Sequence, residues 1–297
     1  MPRVPALVNC KGVAFDKNGP SAVRPIAIAE AWLRLGAIVC LRKEPDIGTD
    51  LAEAGQLGVG IPGGADNIGH AINAALATDP SNTLVVSFDW ANAFNTPSRR
   101  TALFAEVAAT YPSLLPFVNL RYGAHTTVRF FAHHPSGPID VTSASGVRQG
   151  GPLGSALFSL MGKSTLQAVK TAHPHVHPIA YTDDTYLMGP PDDMTGAFHT
   201  LIQAGASIHL QPSLHKCHVY GTPGFRVVVG RNCCSRKVQR LVVGPCIAYC
   251  LCSRVASVDV VVPAPAILCF APLSIVTALL HHCKHTLQNN SPTSAVC

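Results

Sequence analysis

The chain is 297 residues long, is 47% hydrophobic and 13% charged, and carries a formal net charge of +6 at pH 7. This composition excludes a protein that is disordered throughout, and the length allows one large domain or two small ones. Residues 221–297 contain seven basic residues and one acidic residue, which leaves 15 of each before position 221. The main body is therefore balanced, and its charge gives no argument for nucleic-acid binding.

Cysteine usage favours an intracellular protein with free thiols. Eight of the eleven cysteines follow residue 223, and the clusters "CCSRK" and "CIAYCLC" do not have the ligand spacing of zinc sites. The opening sequence "MPRVPALVNCKG" lacks the sustained apolar segment of a signal peptide. We therefore expect a reducing compartment, the nucleus or the cytoplasm.

Residues 11–80 predict a hairpin followed by two helices. A Lys-Asn-Gly turn at 17–19 lies between two extended stretches, and "AEAWLRLGAIVCLRK" has the apolar spacing of a helix. The glycine-rich stretch "GVGIPGG" precedes an amphipathic helix with Ile68, Ile72 and Ala75 on one face.

The next segment predicts a buried strand, a helix and a pair of strands. "LVVSF" is a largely apolar run over residues 84–88, and Asp89 follows it directly. Thr96 followed by Pro97 predicts the start of a helix, which stops before Pro112. "TTVRFF" and "IDVTSA" predict paired strands around a Pro-Ser-Gly-Pro turn.

The second half predicts a helix, a hairpin, a second helix and a short strand. "GVRQGGPLG" is a loop before a long helix that we expect to be loosened at Gly162, and "PIAYTDDTYLMG" is a strand–turn–strand. "MTGAFHTLIQAGASI" predicts a helix and "KCHVYG" a strand. Strands mixed with helices and hairpins indicate an α+β fold with helices over one face of an antiparallel sheet.

The character of the sequence changes near residue 223. Residues 260–280 form 21 positions without a charge, which is long enough to span a bilayer. This stretch contains Pro263, Pro265 and Pro272, which would break a helix. We therefore expect no stable membrane association, and a membrane-associated protein built around this stretch is kept as an alternative.

The tip of the predicted hairpin places Asp183 beside Asp184. Two carboxylates 4 Å apart repel by about 4 kcal/mol near a protein surface, so the pair needs either solvent or a neutralising cation. If the strand ending at Asp89 is a neighbour of the hairpin, three carboxylates converge and favour Mg²⁺ or Mn²⁺. The later pair, Asp192 and Asp193, follows two prolines before a helix, which predicts a cap and a first-turn acid instead.

Six ordered motifs carry a resemblance to a known family. "FDWANAFN", "GVRQGGPLGSALF" and "YTDD" resemble the palm motifs of reverse transcriptases of non-LTR (LINE-type) retrotransposons. Upstream, "VRPIAIAEAWLRL" and "QLGVGIPGGADNIGHAI" resemble the fingers, and "GASIHLQPSLHKCHVYG" resembles the strand-and-lysine motif after the aspartate pair. The resemblance covers residues 10–222 and implies a right-hand polymerase, with fingers at 1–80 and palm at 81–222. Residues 223–297 are expected to be a poorly ordered or out-of-frame tail.

The resemblance implies an RNA-directed DNA polymerase that uses an RNA template, a DNA or RNA primer, dNTPs and two Mg²⁺ or Mn²⁺ ions. Asp89 and Asp183 would be the catalytic metal-binding pair, with Asp184 supporting them at the metal site. The carbonyl of Trp90 would complete a metal shell. Phe94 matches the aromatic residue that crowds the ribose 2′ position and favours dNTPs over NTPs.

Further residues are implied to contact the nucleotide. Gln149 and Gly150 would lie along the incoming nucleotide and the template. Arg24 would lie over the triphosphate, where a guanidinium bridges phosphate oxygens, and Lys17 is a second candidate for that task. Lys216 matches the downstream lysine and would protonate or neutralise the pyrophosphate leaving group.

The sequence also departs from the family pattern. Gly151 stands where relatives often have Asp, and Gly154-Ser155 replaces a commoner Ser-Pro, although neither position is a metal ligand. No thumb, endonuclease, RNase H or zinc-knuckle segment is recognisable, so we expect a fragment of a retroelement. The alternatives are a catalytically silent relic that still binds nucleic acid and another metal-dependent phosphotransferase, such as a nuclease or nucleotide cyclase.

Overall fold

The structure is a computed structural model, and it describes residues 8–16, 23–131, 137–221, 241–243 and 246–248. Lys17, the stretch 260–280 and all of the predicted tail except two short strands lie outside the described residues. The strands are β1 Cys10–Asp16, β2 Val23–Ile28, β3 Leu84–Phe88, β4 Thr126–Phe130, β5 Ile139–Ser143, β6 His177–Tyr181, β7 Asp184–Gly189, β8 His218–Gly221, β9 Leu241–Val243 and β10 Cys246–Ala248. The α-helices are α1 Ala31–Arg42, α2 Ile47–Ala54, α3 Gly64–Thr78, α4 Ala105–Thr110, α5 Leu115–Tyr122, α6 Gly154–Ala172 and α7 Pro191–Ser207. Single turns of 3-10 or π-helix cover Ala93–Asn95, Arg99–Phe104, Pro112–Leu114 and Leu214–Lys216.

The palm sheet consists of four antiparallel strands in the order β6-β7-β3-β8. The predicted strand over residues 84–88 is confirmed as β3, the central strand beside β7. The predicted strand–turn–strand is confirmed as the β6–β7 hairpin, in which Tyr181 pairs with Asp184 and only Thr182 and Asp183 form the turn. This arrangement places the aspartate pair at one end of the sheet.

One face of the palm sheet packs against α6 and α7. Val86, Phe88 and Leu187, which lie on this face of β3 and β7, are at most 1% exposed. The Phe88 ring meets the Phe198 ring of α7 edge-on, with 5.2 Å between centroids. Removing such a buried aromatic side chain typically costs about 3–5 kcal/mol, so this contact secures the strand that leads to Asp89. The predicted antiparallel sheet backed by helices is confirmed.

The second sheet has the order β2-β1-β4-β5. The predicted hairpin of β1 with β2 and the predicted pairing of β4 with β5 are both confirmed as antiparallel, whereas β1 and β4 are parallel. Residues from both sides of position 80 therefore share this sheet. Its small core contains Cys10, Ala27, Ala29, Leu33 and Val128.

Several local details differ from the sequence-based predictions. The helix predicted from Thr96 and Pro97 begins at Arg99, because the Ser98 hydroxyl caps it by accepting a hydrogen bond from the Thr101 N–H. α6 runs unbroken through Gly162, so the expected loosening is not observed, and a Cβ atom at this position would have no neighbour within 4 Å. On α3 only Ile68 of the three predicted apolar residues is fully buried.

The described cysteines, Cys10, Cys40 and Cys217, are free thiols, as expected from the sequence. Within the described part of the chain, no single helix is long and apolar enough to cross a membrane. The segments 99–110 and 112–122 reach the required length and hydropathy only when taken together, and the chain bends by 119° between them.

Candidate active site

Asp89 and the β6–β7 turn lie at the same end of the palm sheet. Phe88, the last residue of β3, pairs with Thr185 of β7, so Asp89 follows directly at the end of the sheet where β7 begins with Asp184. Burial raises the pKa of Asp184, the charges of Asp183 and Asp89 raise it further, and Arg24 opposes them. The structure thus brings Asp89, Asp183 and Arg24 within electrostatic reach of Asp184, and the catalytic roles of these residues remain predictions.

A returning segment of chain carries Lys216 to Asp89. The Ser213 N–H donates to the Asp89 carbonyl at 2.8 Å, and the Ala91 N–H donates to the Gln211 carbonyl at 2.8 Å. The short turn that follows places Lys216 Nζ 3.1 Å from Asp89 Oδ2. This contact is an ion pair, and Asp89 Oδ2, which is buried, receives no aligned hydrogen bond from the described residues.

The donor set at this end of the sheet fits a hard divalent cation that binds together with a phosphate. Among the described residues, no three His, Cys, Asp or Glu side chains are grouped so that they could hold a metal. Mg²⁺ sites in phosphate-transferring enzymes, however, typically use one or two carboxylates, with waters and substrate phosphates completing the shell. Asp89 and Asp183 supply two carboxylates, and the buried Asp89 oxygen without a hydrogen-bond donor suits a cation ligand.

Two predicted site residues have side chains in the core. The Phe94 ring is 8% exposed and stacks on Phe158 with 4.6 Å between centroids. The Trp90 indole is 5% exposed and packs against Phe88. The indole therefore stabilises the sheet, while the predicted tasks of the Trp90 carbonyl and of Phe94 at the ribose remain predictions.

The loop that carries Gln149 and Gly150 lies against β2, the strand of Arg24. The Ala27 N–H of β2 donates to the Gln149 carbonyl at 3.0 Å. Gly150 has φ +100°, and a Cβ atom there would lie 2.6 Å from a methyl group of Ile26. Only glycine fits this position without strain, which gives a structural reason for the Gln-Gly sequence of the motif.

Two buried arginines that the sequence analysis did not single out support this loop. Arg99 donates hydrogen bonds to main-chain carbonyls of Ser143, Ser145 and Gly146, and burial lowers its pKa to about 10. Arg148 donates to the Val8 carbonyl at 2.8 Å and to the Thr126 hydroxyl. No local pattern identifies these residues, because the acceptors come from distant parts of the chain.

The loop after α2 pairs with the β6–β7 hairpin. The Leu57 N–H donates to the Ala180 carbonyl at 2.7 Å, and the Ala180 N–H donates to the Gly55 carbonyl at 2.8 Å. Between them, the Gln56 side chain bonds to Thr182 in the turn itself. Gln56 begins the "QLGVGIPGG" stretch, which resembles the fingers of the family. That resemblance does not indicate that Gln56 contacts Thr182.

Comparisons with known proteins agree with this architecture. Residues 16–239 match the reverse transcriptase (RNA-dependent DNA polymerase) family. Over 214 residues, the chain is 28% identical to the retrotransposable element SLACS 132 kDa protein of Trypanosoma brucei gambiense. The aligned region covers 70% of this chain but only 17% of that relative.

The fold is similar to solved telomerases. A Candida tropicalis apo telomerase truncated from its C-terminal domain has a TM-score of 0.54 and 9% identity, covering 75% of this chain and 52% of that chain. Another Candida tropicalis apo telomerase structure has a TM-score of 0.52 and 11% identity, covering 75% of this chain and 45% of that chain. The predicted retrotransposon-type resemblance is confirmed by the family match and the SLACS relative, and this chain belongs to the reverse transcriptase (RNA-dependent DNA polymerase) family.

Proposed function

We propose that this chain is the fingers and palm of a polymerase that adds dNTPs to a primer 3′ end on an RNA template. The observation that carries the proposal is the shared end of the palm sheet, where Asp89 follows β3 and Asp183 forms the turn between β6 and β7. The reverse transcriptase family generally uses divalent metal ions. Mg²⁺ in phosphate-transferring enzymes is usually held by one or two carboxylates together with substrate phosphates, not by protein ligands alone. Two carboxylates beside a cationic lysine suit this mode of binding.

In the proposed reaction, Asp89 and Asp183 would hold two Mg²⁺ or Mn²⁺ ions, with the Trp90 carbonyl as a further oxygen ligand. When bound, such ions favour ionisation of the attacking primer hydroxyl and neutralise the phosphates in the transition state. The primer oxygen attacks the α-phosphate of the dNTP, and pyrophosphate leaves with the electron pair of the broken bond. Asp184 would add a negative electrostatic potential beside Asp89 and Asp183, which would favour cation binding there.

Lys216 would have two partners during this cycle. Its ammonium group is 3.1 Å from Asp89 Oδ2, and its side chain is 46% exposed, so it has room to move. A divalent cation at Asp89 would replace the lysine as the neutralising charge. Lys216 would then be free to donate a proton to the leaving pyrophosphate or to neutralise it.

The remaining predicted residues would hold the nucleotide. Arg24 is exposed on β2, and its influence on the Asp184 carboxyl supports a position from which a guanidinium meets a triphosphate. The main-chain bond from Ala27 to Gln149 supports a shared surface for the incoming nucleotide on β2 and the loop of Gln149 and Gly150. Phe94 can contact the ribose as proposed only if the edge of its ring that faces away from Phe158 is accessible to the nucleotide.

The partners would be an RNA template, a DNA or RNA primer and dNTPs, and the location would be intracellular. Primer extension by the full chain on an RNA template in Mg²⁺ tests the proposal. Replacing Asp89 with asparagine removes a charged ligand, so Asp89→Asn should lose at least about 10³-fold in rate. Asp140→Asn is the matched control, because Asp140 lies on β5 in an exposed ion pair with Arg129.

Each other outcome has a definite meaning. Undiminished extension by Asp89→Asn would overturn the proposed mechanism. A wild-type chain that binds template–primer but does not extend it would support the catalytically silent relic. Cleavage of single-stranded nucleic acid or cyclisation of ATP, offered in parallel, would support another phosphotransferase.

A further inference from the structure

Gln56 contacts the turn that carries Asp183, although 126 residues of sequence separate it from Thr182. Its side chain is buried, with only 3% of the residue exposed. Gln56 Nε2 donates to the Thr182 carbonyl at 2.9 Å, and Oε1 accepts from the Thr182 N–H at 2.7 Å. Oε1 also accepts from the Gly58 N–H at 3.0 Å. The carboxamide therefore binds both main-chain groups of one residue, as a neighbouring strand would.

The turn needs such a partner. Thr182 has φ +54°, in the left-handed region that a β-branched residue rarely adopts. A residue held there persists only when the surrounding contacts offset its conformational cost. The main-chain bonds from Leu57 and Gly55 reach only as far as Ala180, and the Gln56 side chain extends the pairing to Thr182.

The path continues from Thr182 to the catalytic acid. The Thr182 hydroxyl lies 3.0 Å from Asp183 Oδ1 and 2.7 Å from the Tyr181 carbonyl. Because Asp183 is the next residue, the orientation of the Thr182 peptide sets the direction in which the Asp183 side chain leaves the turn. Gln56 itself reaches no group that would react.

We propose that Gln56 is a positioning residue for Asp183, fixing the left-handed Thr182 so that the Asp183 carboxylate points toward the metal site. Its catalytic consequence rests on the function proposed above. The carboxamide is needed because its two ends have opposite polarity. Glutamate would place a second oxygen against the Thr182 carbonyl, and methionine would leave both main-chain groups of Thr182 without their partner.

Hydrogen exchange in the full chain tests the positioning without requiring activity. In Gln56→Met, amides in peptides covering residues 178–186 should exchange at least about tenfold faster, because the turn opens locally at lower cost. Amides of β3 should keep their exchange rates. Gln167→Met is the matched control, because Gln167 is exposed on α6. Unchanged exchange in the hairpin of Gln56→Met would overturn the proposal.

Steady-state kinetics test the catalytic consequence. Gln56→Glu and Gln56→Met should both lower kcat by about tenfold or more and raise the half-saturating Mg²⁺ concentration, with the KM for dNTP changed less than about twofold. Lowering the pH should restore part of the kcat of Gln56→Glu, since a protonated carboxyl regains a donor for the Thr182 carbonyl. Gln56→Met has no such group and should show no recovery. Wild-type kcat in both variants would overturn the proposal.

The two proposals fail in different ways. If the wild-type chain does not extend primers, the proposed function is lost, and hydrogen exchange still decides whether Gln56 holds the turn. If Gln56→Met does not fold, Gln56→Glu takes its place in the exchange experiment. Protection of the hairpin amides is then compared between Gln56→Glu and the wild type at each pH. The deficit of the variant should be smaller at low pH than at neutral pH. Identical protection of the hairpin amides in Gln56→Glu and the wild type at both pH values would overturn the proposed role of Gln56.

Discussion

The Asp183–Asp184 pair and the Asp192–Asp193 pair are chemically identical, but their surroundings differ. The first pair forms the end of a hairpin whose turn is bonded to Gln56, beside a third acid, Asp89. The second pair lies in the first turn of α7, where main-chain N–H groups without helical partners favour negative charge. Adjacent acids alone therefore indicate little about function, and the residues brought next to them by the fold distinguish a candidate metal site from a helix terminus.

Asparagine substitutions at the two pairs should produce the largest contrast. Asp183→Asn removes a proposed metal ligand and should reduce primer extension by at least about 10³-fold. Asp192→Asn changes the same functional group at the helix terminus and should leave the rate within about twofold, because mutations away from reacting groups rarely alter the chemistry. Initial rates on one primed RNA template measure both. Equal losses in the two variants would remove the distinction between the pairs.

Crowding the loop around the first pair should have the next largest effect. A Cβ atom at Gly58 would lie 2.5 Å from the Thr182 main-chain nitrogen, so Gly58→Ala should lower the free energy of unfolding by about 1–3 kcal/mol. Gly69→Ala is the control, because that position on α3 has no neighbour within 4 Å. There the substitution should stabilise the chain by about 0.5–1 kcal/mol through helix propensity. Urea denaturation measures both, and a stabilised Gly58→Ala would contradict the tight packing of loop and turn.

The second pair should contribute modestly to stability. Asp192→Asn and Asp193→Asn each remove a charge that interacts favourably with the α7 N-terminus, so each should cost about 0.3–1 kcal/mol of unfolding free energy at low salt. Adding salt should reduce these losses, because exposed charges are screened. Thermal or urea denaturation at two salt concentrations provides the measurement. A larger loss that salt does not affect would indicate a buried partner for this pair.

The smallest expected effect is the pH dependence that Asp184 adds. Burial and the charges of Asp183 and Asp89 raise its pKa, so the folded state binds more protons than the unfolded state over the interval between the two pKa values. The contribution of Asp184 to the free energy of unfolding therefore falls as pH rises through that interval.

Asp184→Asn removes this loss, and the stability of this variant relative to the wild type should increase as the pH rises above about 4, the ordinary pKa of an aspartate. Urea denaturation in the presence of EDTA measures the difference without interference from divalent ions. A difference that is constant or decreases with pH would contradict the raised pKa.

Sequence reasoning succeeded where the determining signal is local. The apolar run ending at Asp89 predicts β3, and the two extended stretches around Thr182 and Asp183 predict the hairpin, because strand length and turn chemistry are encoded by neighbouring residues. Near Arg99, a local signal was misleading: both Thr96 and Ser98 can cap a helix, and the chain uses the second. The antiparallel character of the sheet followed from the predicted hairpins and their mixture with helices, whereas the order of the strands in the sheet was not predicted.

The contacts that sequence reasoning missed depend on distant parts of the chain. Gln56 finds its partner 126 residues away, and Arg148 reaches Val8 across 140 residues. Such pairs leave no periodic signal, since a buried amide or guanidinium is tolerated only where the folded chain supplies acceptors. The stacking of Phe94 on Phe158 has the same origin, because only the fold determines which part of that ring is exposed.

The parallel pairing of β1 with β4 has a consequence for how this chain can be divided. An excised palm that starts near residue 81 would expose the edge of β4 that β1 covers, and unpaired edges promote aggregation. Arg148 would also lose the Val8 carbonyl that accepts its hydrogen bond. We therefore expect residues 1–80 and 81–222 to fold as one unit, and an isolated segment that starts near residue 81 to be less soluble than the whole chain.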